Sequence, residues 1–215
     1  MSNGFSPQAS ATIAALMRGA GLVGIVGGVA LAAAYLTHPP EAPPEAVASV
    51  LWFWVHVGFM VSLIAGIFLL FALLVQYFRC GGGIAGFIGF AMAVTSLVFV
   101  FGLDYAEVFI FPTLAAEFPE VVVKYGDGTS MPSVAFAFPL TGLLFVAGFM
   151  LFAWQLYRTN AVAKGASLLT IVGTIVFGIG LSGLFPMIVV RTGSVVFGAG
   201  LVWLGISLWT KAASD

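Results

Sequence analysis

The chain has 215 residues, of which 61% are hydrophobic and only 7% are charged, and its formal net charge is −1. Soluble domains carry about 25% charged residues, so this chain has too few charges to cover a surface that faces water. The absence of a basic excess argues against nucleic acid as a partner, and the single cysteine, Cys80, excludes an intramolecular disulfide.

Six long apolar segments follow one another along the chain. A helix needs about 20 apolar residues to cross a bilayer, whereas a membrane β-barrel shows short segments of alternating polarity. We therefore predict an all-α integral membrane protein, a bundle of six transmembrane helices that forms one domain over residues 1–215. The predicted spans are 12–35, 50–76, 84–107, 134–157, 166–185 and 187–209.

The connections between these spans are short, with one exception. Residues 36–46 are rich in proline and acid and predict a stiff linker. Residues 79–83 predict a glycine turn, and residues 158–165 predict a polar hairpin. The one long connection, 111–132, contains a dense group of turn residues and predicts an irregular loop.

The basic residues predict the orientation in the membrane. Lys and Arg are enriched on the cytoplasmic side of membrane proteins, and here five lie on one side of the predicted spans and two on the other. The first group is Arg18, Arg79, Arg158, Lys164 and Lys211, and the second is Lys124 and Arg191. We therefore predict a protein of the cell membrane with both termini in the cytoplasm. In this orientation, Trp52 and Trp54 are expected at the outer interface.

Two acids lie in the apolar stretch "GLDYAEVFIFPTLA", at the end of the third span. A spacing of three residues puts Asp104 and Glu107 on one helix face. His56 lies roughly 9 Å into the second span, at a depth similar to that of Asp104, and Arg191 begins the sixth span from the same side. We predict that the four side chains meet in the outer leaflet, with at least one acid hydrogen-bonded to His56 or Arg191.

The cluster has several interpretations. Charged groups within a membrane usually face the bundle interior and pair, so the four residues are a candidate pocket for a ligand, an ion or a proton. They also fit a salt-bridge cluster that fixes helix register, or acids that lie in headgroup water. A sharper version is a metal site made of His56, Asp104 and Glu107. Haem is a further alternative, although the only histidines, His38 and His56, could ligate at most one group.

Catalytic motifs are missing from the sequence. It contains no P-loop and no G-x-S-x-G elbow, and the serines of the spans have no His or Lys partner at a useful depth. Four threonines are expected to bond to their own helices, namely Thr95, Thr141, Thr170 and Thr174. The sequence therefore favours a protein that is not an enzyme, and it requires no cofactor.

Glycines recur at spacings that allow helices to approach closely, as in Gly24/Gly28 and Gly82/Gly86. Small residues at such spacing permit backbone contact within lipid. Glycine-rich faces of this kind suit packing within the bundle, a partner in a membrane complex or a homo-oligomer.

The stretches "HVGFMVSLIAGIFLLFALLVQYFR", "GFAMAVTSLVFVFGLDYAEVFIFPTLAAEFPEV" and "GLLFVAGFMLFAWQLYRTNAVAKGASLLTIVGTIVFGIG" resemble a broad group of small prokaryotic multi-pass membrane proteins. The resemblance covers about residues 50–210 and is carried mainly by the histidine of the second span and the acidic segment that ends the third. It implies a helical bundle and no established activity.

Two functions of different kinds follow from these observations. The first is a non-enzymatic membrane protein, either a subunit of a larger membrane complex or a protein that binds a small ligand or ion at the outward-facing polar cluster. The second is a small transporter or proton-coupled carrier. A membrane metal-site or haem protein is a more distant alternative.

The predicted orientation can be tested with single cysteines at positions 124 and 164. Because these positions are predicted to lie on opposite sides, we expect a membrane-impermeant thiol reagent to label position 124 in intact cells and position 164 only after lysis. Labelling of both positions from one side would contradict the predicted topology.

Overall fold

The computed structural model describes residues 6–40, 42–126, 130–182 and 184–211. This part of the chain contains nine helices and no strand. Six helices are long: α1 (Pro7–Thr37), α3 (Val50–Arg79), α4 (Ile84–Phe109), α7 (Pro132–Thr159), α8 (Lys164–Leu181) and α9 (Met187–Lys211). Three are short: α2 (Pro44–Val47), α5 (Phe111–Glu117) and α6 (Pro119–Tyr125).

The six long helices are long and apolar enough to cross a membrane. The predicted all-α bundle of six such helices is therefore confirmed; the ends of these helices differ from the ends of the predicted spans by up to five residues. Thr141, Thr170 and Thr174 donate to main-chain carbonyls four residues earlier, at 2.7 to 2.9 Å. The expected bond is thus present in three of the four threonines, whereas Thr95 makes no such bond among the described residues.

The long helices form a closed ring. Each packs against two neighbours in the order α1, α3, α4, α7, α8 and α9, and α9 returns to α1. Helix α3 also touches α7 and α9 across the middle of the ring. Adjacent helices run antiparallel, so the first residues of α1 and the last residues of α9 lie at the same end, which we call the termini end.

Glycines bring α1 and α9 into backbone contact. A Cβ added to Gly28 would lie 2.5 Å from the carbonyl oxygen of Gly198, and a Cβ added to Gly198 would lie 2.5 Å from that of Gly28. Gly21 and Gly205 form a second reciprocal pair. Gly24 instead faces Leu69 of α3. Of the four glycines named from the sequence, Gly28 makes the predicted backbone contact, Gly24 faces another helix because α1 lies between two neighbours, and Gly82 and Gly86 meet the ring of Tyr77.

The connection over residues 111–132, which we predicted to be an irregular loop, contains two short helices, α5 and α6. Pro112 and Pro119 each stand within the first two positions of a short helix, where a proline costs no hydrogen bond. The middle of the predicted turn, 127–129, lies outside the described residues. The prediction was based on the dense group of turn residues in this connection, and it did not include the two short helices.

Helices α2, α5 and α6 pack together at the end of the ring opposite the termini. We call these three helices the cap and this end of the ring the capped end. Their small apolar core consists of Val47, Trp52, Ala115 and Val122, and it is separate from the main core of the bundle. Trp52 belongs to α3, so it is the residue through which the ring contributes to the core of the cap.

The backbone contact between α1 and α9 can be tested with Gly28→Ala. The added methyl group would overlap the carbonyl of Gly198, and overpacking of this kind costs about 1–3 kcal/mol. We expect a lower thermal unfolding temperature in detergent, measured by circular dichroism. Gly142→Ala is the matched control because its added methyl group meets nothing within 4 Å. Equal unfolding temperatures for the two variants would contradict the close contact.

Candidate functional site

Asp104 is the buried acid of the capped end. Its side chain is only 6% exposed, and its Oδ2 atom has no hydrogen-bond partner among the described residues. An ionised carboxylate in apolar surroundings is costly unless a counter-charge compensates it. The side chain is therefore buried within the protein, and it has no hydrogen bond to His56 or Arg191 among the described residues.

Antiparallel packing of α3 and α4 brings His56 to the level of Asp104. Gly66 of α3 faces Leu97 of α4, and the indole Nε1 of Trp52 donates to the main-chain oxygen of Glu107 at 3.1 Å. One helical turn further into the bundle from this bond lie His56 on α3 and Asp104 on α4. His56 is buried as well. This register places His56 and Asp104 at a similar depth, in agreement with the prediction from the sequence.

Both histidines of the chain are held at the capped end by main-chain carbonyls. His56 Nδ1 lies 2.9 Å from the oxygen of Trp52, and His38 Nδ1 lies 2.7 Å from that of Pro39. A carbonyl oxygen only accepts hydrogen bonds, so each Nδ1 carries the hydrogen. The two ring centroids are 5.2 Å apart. This arrangement fixes the orientation of both rings.

The histidines belong to a larger aromatic cluster, which consists of Tyr35, His38, Trp52, His56 and Phe59. Trp52 stacks on His56 with centroids 4.4 Å apart and an interplanar angle of 25°. Phe59 contacts the ring of His56 at 5.4 Å and that of His38 at 5.9 Å. Such distances are typical of favourable aromatic pairs. The cluster thus packs the end of α1 against the start of α3.

Trp52 was not recognised as part of the site from the sequence. We expected it at the membrane interface together with Trp54, but Trp52 is 3% exposed and Trp54 is 63% exposed. The spacing of Trp52, His56 and Phe59 places them on one face of a helix. This signal could have identified the cluster.

Arg191 joins α9 to the end of α1. Its Nε donates to the carbonyl of Tyr35 at 3.2 Å, and its Nη2 donates to that of His38 at 3.1 Å. The last carbonyls of a helix lack partners within the helix, and a cation is favourable there. Arg191 therefore braces two helices. We predicted that at least one of the two acids would be hydrogen-bonded to His56 or Arg191, and Asp104 makes no such bond among the described residues.

The described residues give no support for the predicted metal site of His56, Asp104 and Glu107. Within the described ranges, no group of three or more His, Cys, Asp or Glu side chains could hold a metal ion. The side chain of Glu107 is half-buried, and its main-chain carbonyl accepts the bond from Trp52. Two apolar surface grooves, one on α4 and one between α7 and α8, are not lined by any of the predicted site residues.

Comparisons with protein families, with characterised proteins and with solved structures give no match to this chain. The functional argument therefore depends on the geometry of the capped end. Its components are a buried carboxyl, two oriented imidazoles, an aromatic cluster and an arginine brace.

The brace can be tested with Arg191→Gln. Hydrogen bonds to charged groups contribute about 1.5–3 kcal/mol, and the shorter glutamine cannot reach both carbonyls. We expect the free energy of unfolding to fall by roughly 2 kcal/mol in detergent. Arg158→Gln is the control because it removes an exposed arginine at the end of α7. If both variants unfold at the same denaturant concentration, Arg191 is not a brace.

Proposed function

We propose that this multi-pass membrane protein binds a singly charged cation, a proton or an alkali metal ion, at the carboxyl group of Asp104. The observation that carries the proposal is a buried acid whose Oδ2 atom has no partner among the described residues. Ionisable groups within membrane spans are rare and usually functional. A bound cation would remove the cost of the buried charge.

The chemistry of the site favours a single positive charge. Calcium and magnesium need several oxygen ligands, and the described residues contain no group of three or more His, Cys, Asp or Glu side chains suited to a metal. A proton needs the carboxyl group alone, whereas an alkali ion would have to complete its shell with main-chain oxygens or water. One carboxyl group balances one positive charge. His56 at this level and Trp52 one turn towards the cap are both buried, which favours a small ion over a bulky organic ligand.

A purely structural role for Asp104 is less consistent with the contacts. A brace needs a partner, and Arg191 and Trp52 brace the capped end through main-chain carbonyls. Asp104 contributes to neither contact. Its burial therefore costs stability that an ion-binding role would explain.

Ion binding also fits the packing better than transport does. A carrier needs a path from the site to the termini end, and that half of the bundle is filled by fully buried side chains such as Leu69, Leu73 and Phe152. The glycines that suggested a docking face for a partner, such as Gly28 and Gly198, pack against each other within the chain. We therefore favour ion binding over the carrier and over the subunit of a larger complex.

Asp104→Asn tests the proposed function. The amide keeps the shape of the side chain but cannot balance a cation, so we expect its thermal stability to be insensitive to the ion. Binding to the folded state alone stabilises a protein by about 2.7 kcal/mol at a ligand concentration 100 times Kd. The parent protein should show such a stabilisation on addition of NaCl or KCl, at an ionic strength held constant with N-methylglucamine chloride.

The same measurement distinguishes the two kinds of cation. If the bound cation is a proton, the stability of the parent falls as the pH rises, because the folded state loses its proton, and Na⁺ or K⁺ has no specific effect. Glu120→Gln, which removes an exposed acid of α6, should retain whichever response the parent shows. A response that persists unchanged in Asp104→Asn would refute the proposed site.

A further inference from the structure

Charge is divided unevenly between the two ends of the bundle. The acids of the described residues lie in the cap or in the last two turns of α4, namely Glu45, Asp104, Glu107, Glu117 and Glu120. The termini end carries five basic residues, namely Arg18, Arg79, Arg158, Lys164 and Lys211. Within the described ranges this end contains no acid. A surface of one charge sign attracts partners of the opposite sign.

Arg18 and Arg79 lie level with the end of α9. Arg79 Nη1 donates to the sulfur of Met17 at 3.2 Å, and Met17 is the neighbour of Arg18 in α1. Three residues beyond Arg18, a Cβ added to Gly21 would lie 3.2 Å from the main-chain nitrogen of Trp209. Because α1 and α9 are antiparallel, Arg18 is therefore level with the last residues of α9.

Lys164 and Lys211 meet the turn between α7 and α8 at the same end. The ammonium group of Lys211, the last residue of α9, donates to the carbonyl of Asn160. The ammonium group of Lys164 lies 5.0 Å from the centre of the Tyr157 ring. That ring stacks on Trp154 with centroids 5.3 Å apart and an interplanar angle of 8°. We call four residues the basic belt, namely Arg18, Arg79, Lys164 and Lys211.

Contacts with α9 fix the backbone that carries Lys164. The main-chain nitrogen of Ala163 donates to Ser207 Oγ at 2.7 Å. Trp203 packs against Gly165, where an added Cβ would lie 2.5 Å from the indole ring. A binding group on a fixed backbone loses less freedom when it binds a ligand than a group on a mobile loop. The turn therefore holds Lys164 in a position suited to binding an anion.

The surroundings of the belt favour a lipid over a soluble anion. Trp154 and Trp209 are exposed close to this level, and Trp and Tyr are enriched at the headgroup level of membranes. The apolar helices end here, so a lipid phosphate can approach the belt while its acyl chains follow exposed apolar side chains such as Leu168. Clusters of four or more Lys and Arg beside membrane spans are typical of anionic lipid binding.

We propose that the termini end binds the headgroups of anionic phospholipids through the basic belt, with Lys164 and its aromatic pair as the principal contact. The proposal goes beyond ion binding at Asp104 and does not depend on it, because the two sites lie at opposite ends of the bundle. It assigns to this end a preference for one chemical class of lipid.

Thermal unfolding of the full chain in mild detergent tests the preference. Phosphatidylglycerol or phosphatidylcholine with the same acyl chains is added at a fixed NaCl concentration, and binding to the folded state raises the unfolding temperature. We expect phosphatidylglycerol to stabilise the parent more strongly. In Lys164→Gln the concentration of phosphatidylglycerol at the midpoint of stabilisation should rise about fivefold, because one cation near an anionic lipid surface contributes an interaction of this size.

Lys124→Gln is the matched control. Lys124 also lies over a tyrosine ring, that of Tyr125 at 4.9 Å, but it belongs to the cap. This variant, and Lys164→Arg, which keeps the charge, should retain the midpoint of the parent. Arg18→Gln changes another part of the belt and should raise the midpoint as well, so it keeps the test valid if Lys164→Gln does not fold.

Three results would overturn the proposal. The first is equal stabilisation of the parent by the two lipids, and the second is an unchanged midpoint in both Lys164→Gln and Arg18→Gln. The third is a response to glycerol phosphate equal to that to phosphatidylglycerol, because the belt would then bind a soluble phosphate ester instead of a lipid. A parent that responds to phosphatidylglycerol but not to Na⁺, K⁺ or pH would refute ion binding alone.

Discussion

The hydrogen bond from the indole of Trp52 to the carbonyl of Glu107 is the contact on which the capped end depends. It sets the register between α3 and α4 and so places His56 and Asp104 at one level. It also fixes a ring that stacks on His56 and contributes to the core of the cap. One side chain therefore contacts α3, α4, the cap and the candidate site. A displacement of this ring would affect the packing of the two spans, the cap and the site.

The remainder of the bundle supplies the rigidity that such a site needs. Reciprocal glycine pairs hold α1 against α9 at backbone contact, and Arg191 closes the same pair of helices where α1 ends. Within an apolar bundle, an acid without a counter-charge raises the free energy of the folded state. Rigid helices around Asp104 limit the relaxation that would otherwise relieve this cost, and a bound cation is the simplest compensation.

The sequence was sufficient to predict the six long helices, because run length and the lack of charge determine them directly. It also predicted the common depth of His56 and Asp104, since helical rise is constant and the spans alternate in direction. It could not predict the partners of Arg191, because those carbonyls lie 156 and 153 residues away along the chain and their proximity depends on the order of helices in the ring. The short helices of the cap were missed because the connection was interpreted from its group of turn residues alone.

The most direct test of the account is infrared difference spectroscopy on the protein reconstituted in lipid, comparing spectra with and without the stabilising cation or proton. The account predicts a change in carboxyl absorption that is absent in Asp104→Asn and retained in Glu120→Gln. An ion-induced carboxyl signal of the same size in Asp104→Asn would contradict it, because the responding group would then be a different acid.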